Sequence, residues 1–307
     1  MVDARVAELE AEAAKWDAEF QKFVEANPDK AALISDMLSL KVPENILEQL
    51  LAVAPVDKPV ATRASGGAVL QKVAELVPAL CGGAADLAPS TKTEIKNGGD
   101  FSAENYAGRN FHFGVRELAM SVIANGMAVY GGYIPYTSTF FVFSDFMKPG
   151  IRLAALQKLR SIYVFTHDSF YVGEDGPTHE PIEQLPMLRT IPGMTVIRPA
   201  EAHEVAHAWA YAVRSKTPVA LILTRQDIAP YDEETAAKID VSKGAYVVSE
   251  DSAYDMILIA TGSEVNTALG AAHILRETGR RIRVVSMPSC EPVSYTHLRA
   301  HETVLDL

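Results

Sequence analysis

Residues 132–167 read GYIPYTSTFFVFSDFMKPGIRLAALQKLRSIYVFTH. YIPYTS and SIYVFTH are short runs of β-branched and aromatic residues, which is how strands read when both faces are buried. Between them, the stretch that runs into LAALQKL carries apolar residues at helical spacing. A strand, a helix and a second strand make a crossover unit, which joins two parallel strands. The same alternation extends both ways. Upstream lie a helix from Ala64 to Val77 stopped by Pro78, strands at LCGGAA and FHFG, and a helix from Arg116 to Tyr130. Downstream come a helix opening at Pro181, a strand at MTVIRP, a helix from Glu201 to Arg214 and a strand at PVALILT. The expectation is an α/β fold, a parallel sheet with helices on both faces.

In such sheets ligands bind beyond the carboxyl ends of the strands. That directs attention to ADLAPS, GVRE, TSTFFVF, THDS, GEDGPTHEP and TRQD. These segments, with ATRASG, supply donors at Arg63, His167, His179 and Arg225, a hydroxyl at Ser90 and carboxylates at Asp86, Glu117 and Asp175. Arginine grips phosphate oxygens through two parallel N–H groups, while His and Asp discriminate hydroxyls. The run Phe140, Phe141, Phe143 and Phe146 offers flat apolar surface to a ring. Taken singly, each such residue is more often a cap, a solvated charge or core; the weight lies in their convergence.

The flanks read differently. Val6, Leu9, Ala13, Trp16, Phe20 and Phe23 form the apolar stripe of a helix ending at Asn27-Pro28, and residues 1–54 read as a helical connector. The main domain spans 55–235. From 241 to 292, YDMILIA, a helix ended by Gly279 and RIRVVSM give one strand–helix–strand unit, too little to bury both sheet faces, so that domain reads as incomplete.

The chain has 307 residues, 48% of them apolar, and a net charge of −11, which argues against nucleic acid or an anionic membrane as main partner. Its two cysteines, Cys81 and Cys290, lie outside any CxxC, so the cytoplasm is the default compartment. No stretch reaches the roughly 20 apolar residues of a membrane span. His203–His207 spells HEVAH, the letters of a zinc protease helix. A third ligand is missing at the expected spacing, where Val213 stands. The helical wheel sets the two histidines beside the apolar face, with Glu204 further into solvent, so no metal site is assigned.

ATRASG, GGAADLAPS, FGVRELAM, GGYIPYTSTFFVF, THDSFYVGEDGPTHEP, the RP of MTVIRPAEAHE, ILTRQ, IATGSEV and RVVSMPS resemble, in order and spacing, the pyrimidine-binding domain of transketolases and the start of their C-terminal domain. The resemblance runs from about Trp16 to Ser289. It implies the thiamine diphosphate-binding fold and transfer of a two-carbon ketol unit between sugar phosphates. It also implies that Glu117 holds the cofactor's aminopyrimidine ring in the tautomer able to take up a proton, that Phe140 and Phe143 stack around that ring, and that Asp86 lies near the cofactor at a subunit interface. Arg63, Ser90, His167 and Arg225 would bind the sugar phosphate, Asp175 the hydroxyls beside the carbonyl, and His179 the reacting carbonyl itself.

Thr91 and Leu118 depart mildly from the family pattern. Phe146 stands where a tyrosine is frequent, so no role is assigned to it, and Glu174 and Glu180 are left as solvated turn residues. The family's GDG signature for the diphosphate and its divalent metal, magnesium or calcium, does not occur. The resemblance therefore implies a diphosphate-binding domain or subunit from elsewhere, in a homodimer or a split-subunit assembly. The alternative is a catalytically silent truncated fragment or partner-binding subunit, and a remote one is a zinc hydrolase acting through HEVAH. Residues 293–307, VSYTHLRAHETVLDL, match nothing in the family and resemble translated adaptor sequence, so His297 and His301 carry no functional weight.

Overall fold

The computed structural model describes residues 2–291. In chain order its elements are α1 (Val2–Ala26), α2 (Pro28–Leu38), α3 (Ile46–Leu51), β1 (Val60–Ala61), α4 (Thr62–Leu76), β2 (Leu80–Ala84), α5 (Ala88–Thr91), β3 (Asn110–His112) and α6 (Glu117–Tyr130). They continue with β4 (Ile134–Phe140), α7 (Ser144–Leu156), β5 (Ile162–Thr166), α8 (Gln184–Arg189), β6 (Thr195–Ile197), α9 (Ala202–Arg214) and β7 (Val219–Leu223). The last are β8 (Asp227–Ile228), α10 (Glu233–Ala236), β9 (Tyr246–Glu250), β10 (Met256–Ala260), α11 (Glu264–Glu277) and β11 (Ile282–Ser286).

Six strands form one parallel sheet in the order β3-β2-β4-β5-β7-β6. Every residue of β2, β4, β5, β6 and β7 is buried, which explains why these strands read as apolar runs rather than alternating ones. One core lies between the sheet and α3, α4 and α9, with Leu50, Leu70, Trp209 and Val213 at its centre. The other lies under α6, α7 and α8, around Met120, Met147, Ile151 and Leu188. Helices thus cover both faces. Because all six strands run the same way, the residues after β2, β4, β5 and β7 emerge at one edge, where Asp86, Phe143, His167 and Arg225 stand.

Helices α6 and α7 pack at close range because Gly150 has no side chain: a Cβ there would stand 2.1 Å from Ser121 Oγ. The same contact frees the Gly150 carbonyl to accept from Asn125 Nδ2 at 2.8 Å. Gly150→Ala is expected to cost about 1–3 kcal/mol by overpacking, read as a lower urea midpoint at unchanged m-value.

Two sequence expectations are corrected. Pro181 does not open a helix; α8 begins at Gln184. Gln184 accepts the Ile182 N–H at 2.9 Å and donates to Asp145 at 3.0 Å, so its side chain does the anchoring expected of a proline start. The unit after residue 241 is also more than one strand–helix–strand. Strand β9 pairs antiparallel with β11, giving the order β10-β11-β9. Its sequence, YVVSE, mixes buried and half-exposed positions and so carries only a weak strand signal. Strand β10 stays at the edge, with Met256, Ile257 and Ile259 exposed. The terminal segment 293–307 lies outside the described residues.

Candidate active site

Three turns at the carboxyl edge carry backbone that L-residues rarely adopt. Asp86 has φ 62°, His167 φ 59° and Gly114 φ 65°. For the two non-glycine residues this is strain, the kind that concentrates where function requires a fixed side chain.

His167 is the hub of the site. It is 2% exposed, and its ring lies 3.7 Å from that of Phe140, centroid to centroid. Arg63 Nη1 approaches His167 Nε2 at 3.1 Å. A guanidinium can only donate, so Nε2 is the acceptor and the ring proton sits on Nδ1, from which it is donated to Thr166 Oγ1 at 2.8 Å. Burial, reinforced by the charge of Arg63, pushes the imidazole down to about 4, so the ring is neutral at pH 7. The same Arg63 nitrogen donates to the Ser90 carbonyl at 2.9 Å, which ties α4 to the segment after β2. Burial and the neighbouring Arg225 charge lower the pKa of Arg63, while Asp227 and Asp175 counter them.

An aromatic wall faces this polar cluster. Phe140 and Phe143 are stacked, 6.2 Å apart with planes 9° from parallel, and Phe146 continues the stack at 6.3 Å while being 62% exposed. His179 meets Phe143 and Phe140 edge-on at 5.4 and 6.1 Å. Its Nδ1 lies 2.9 Å from the hydroxyl of Thr178. Gly173 and Gly176, at φ 79° and 78°, provide the turns of the intervening loop. Glu174, left as a solvated residue by the sequence, in fact pairs with Arg225 at 2.9 Å. Glu174 is well exposed and Arg225 half-buried, so the pair is a weak one, and exchanging Glu174 for another anion costs little.

The structure therefore brings Arg63, Ser90, His167, Asp175, His179, Arg225, Phe140 and Phe143 into one contiguous or electrostatically coupled group. Asp86 and Glu117 stand apart from it. Asp86 lines a separate cleft of about 340 Å³ with Asp100, His112 and Gly114. Glu117 is the first residue of α6 and only 8% exposed, yet among the described residues its carboxylate has no hydrogen-bond or ion-pair partner. A carboxyl so placed is left to accept from a donor on a ligand. That fits an aminopyrimidine group. No comparable set exists for a metal: among the described residues no group of three or more His, Cys, Asp or Glu side chains is placed to hold one.

The HEVAH helix folds for another purpose. Glu204 is not in solvent but fully buried, because the second sheet packs on this face of α9 and the sequence alone does not reveal that contact. Its Oε1 accepts from Tyr246 and, at 2.6 Å, from Ser286 of that sheet, and its Oε2 from the Ala200 N–H at 2.8 Å. His203 turns to Glu201 at 2.9 Å. Burial pushes the Glu204 carboxyl up to about 7 although these donors oppose the shift. Its folded pKa lies above the usual 4.5, so its contribution to stability is present below that value and is lost as pH rises through about 7. Relative to Glu204→Gln, the parent should lose on the order of 3 kcal/mol between pH 5 and 8. Parallel calorimetric scans of both chains isolate this term, since His203 and other groups contribute to both curves.

Sequence reasoning missed Thr166, which fixes the His167 tautomer, and Glu174. It also passed over Asp168 and Arg198, although both lie in segments it had singled out.

Comparison with known proteins identifies the family. Residues 58–230 match the model of the transketolase pyrimidine-binding domain, and 244–306 that of the transketolase-like C-terminal domain, a match that runs into the segment 293–307 expected to lie outside the family. The transketolase of Geobacillus stearothermophilus is 49% identical over 92% of this chain and 43% of its own length, and that of Bacillus subtilis 48% identical over 90% and 42%. Among solved structures, the transketolase of Leishmania mexicana superposes with TM-score 0.87 at 38% identity, covering 95% of this chain and 43% of that one. A structure described as a split gene transketolase, an inactive β4 tetramer, matches with TM-score 0.62 at 30% identity over 76% of this chain and 73% of its own. The chain spans less than half the length of the curated relatives it matches, and it belongs to the transketolase family.

Proposed function

We propose that this chain supplies the pyrimidine-binding half of a thiamine diphosphate site and, joined to a diphosphate-binding domain or subunit, transfers a two-carbon ketol unit from a ketose phosphate to an aldose phosphate. The reading is supported by the Arg63–His167–Phe140 cluster beyond the strand ends; the Glu117 carboxyl, at the start of α6 and apart from that cluster, has no partner among the described residues and so is left for a ligand. When bound, the cofactor supplies a nucleophilic carbon and a sink for the electrons of the cleaved bond. Glu117 would hold a proton on a pyrimidine nitrogen. Phe140 and Phe143 would give the ring an apolar surface to lie against.

The remaining residues act on the sugar phosphate. Arg225 exchanges its exposed partner Glu174 for phosphate oxygens, and Arg63 adds the donors it does not spend on Ser90 and His167. His167 is neutral, donating from Nδ1 to Thr166 and accepting from Arg63 at Nε2, so it orients the Arg63 guanidinium toward the phosphate without adding a second positive charge. Asp175, close enough to act on both Arg63 and His167 electrostatically, accepts from substrate hydroxyls. His179 stands edge-on to the aromatic wall, where it donates a hydrogen bond to the carbonyl oxygen and moves a proton there.

A partner is supported by the surface. Leu118, Val122, Ile123 and Tyr130 of α6 and Leu153 and Leu156 of α7 are all more than 40% exposed, an apolar face of the kind that marks protein interfaces. The match to a split gene transketolase over most of both chains supports a separate polypeptide for the other half. A partner-binding subunit without activity of its own is the second reading, favoured by the description of that neighbour as inactive. No described helix is long and apolar enough to cross a membrane. The test is an assay of ketol transfer from xylulose 5-phosphate to ribose 5-phosphate, with the chain alone and mixed with the diphosphate-binding domain of a relative. Turnover is expected in the mixture; none in any mixture would favour the second reading.

A further inference from the structure

Arg198 follows β6, the edge strand of the main sheet, and is 6% exposed. A cation buried there is costly unless its donors are fully used. They are used in two directions. Nε and Nη2 both donate to Asp168 Oδ2, at 2.8 and 2.7 Å, reaching past the end of β7 to the turn after β5. Nη1 donates to the Thr261 carbonyl at 2.9 Å, in the turn after β10, and to the carboxylate of Glu264, the first residue of α11 in the second unit. Backbone bonds reinforce the junction: Arg198 N–H donates to the Pro288 carbonyl at 2.8 Å, and its own carbonyl accepts from Gly262 at 3.1 Å. Gly262 has φ +60°, and a Cβ there would lie 2.8 Å from Arg198 Cγ, Nε and Cζ, so the guanidinium packs directly on glycine backbone.

Asp168 is the residue next to His167, whose backbone is in the strained left-handed region. Such a conformation persists only where its neighbours hold it. On one side Thr166 fixes the ring nitrogen; on the other, Asp168 is clamped by Arg198 and fully buried. We propose that Arg198 is a positioning residue through which the second α/β unit fixes the orientation and tautomer of the His167 ring. The unit after residue 241 thereby gains a task at the site without contributing a residue to it. The term positioning residue rests on the proposed role of His167 toward the sugar phosphate; the mechanical coupling does not.

The test separates the two. In the ¹⁵N-labelled chain, ring-nitrogen correlation spectra report the tautomer of each histidine, with His167 assigned by loss of its signal in His167→Gln. The parent should show a neutral, Nδ1-protonated ring from pH 5 to 8. Arg198→Met should give averaged ring-nitrogen shifts, and Glu264→Gln, at a partly exposed position that leaves the Asp168 pair intact, the same change in weaker form. Arg198→Lys should restore the parent pattern in part. If the folded variants keep the parent His167 signals, the proposal is overturned; if Arg198→Met does not fold, Glu264→Gln decides alone. In the reconstituted enzyme, Arg198→Met should raise KM for xylulose 5-phosphate about tenfold. A parent mixture without turnover would sink the functional reading and leave the spectra to decide the coupling.

Discussion

Glu117→Gln is expected to lower ketol transfer by the reconstituted enzyme about a thousandfold, the range that a positioned proton-transfer group contributes. The amide keeps the shape of the side chain but can neither hold nor share the proton that the pyrimidine nitrogen requires. Because Glu117 has no partner among the described residues, the substitution breaks no internal hydrogen bond, and unfolding stability should stay within about 0.5 kcal/mol of the parent. A large loss of activity at unchanged stability separates a chemical role from a structural one. Equal kcat and KM in parent and variant would remove Glu117 from the mechanism.

Arg63→Met should act on binding instead. One charge-assisted hydrogen bond is worth about 1.5–3 kcal/mol, so KM for xylulose 5-phosphate should rise about 10- to 150-fold, with kcat less affected. The change has a second consequence. The charge of Arg63 is one of the two main reasons that the His167 ring stays neutral down to about pH 4. With the charge gone the ring's pKa rises, and protonation then occurs at higher pH. The acid limb of the kcat/KM profile should therefore move upward in Arg63→Met. A variant with raised KM but an unshifted acid limb would mean that His167 protonation does not govern substrate binding.

Much of the fold was legible because its strands are buried on both faces. IYVFT and VALIL read as continuous apolar runs, and the helices between them keep a clear period. Residue types at the strand ends likewise pointed to the site, since a parallel sheet delivers them to one edge. What escaped the sequence were contacts across long separations. Glu204 occupies a polar position on the wheel of α9, and only the packing of β9 and β11 turns that position inward. Arg225 and Glu174 are 51 residues apart, and Arg198 and Glu264 are 66 apart. No local pattern announces such pairs. Pro181 misled for a different reason: proline is favoured at a helix start but equally suits an extended turn, and here Gln184 took the anchoring role.

The central claim, that this chain holds half of a thiamine diphosphate site, is tested most directly by titration calorimetry of the cofactor, with magnesium present, into three samples: the chain, a relative's diphosphate-binding domain, and their mixture. Saturable binding near one cofactor per pair is expected in the mixture alone, weakened by Glu117→Gln. Equal binding by the diphosphate-binding domain with and without the chain, unaffected by Glu117→Gln, would contradict it.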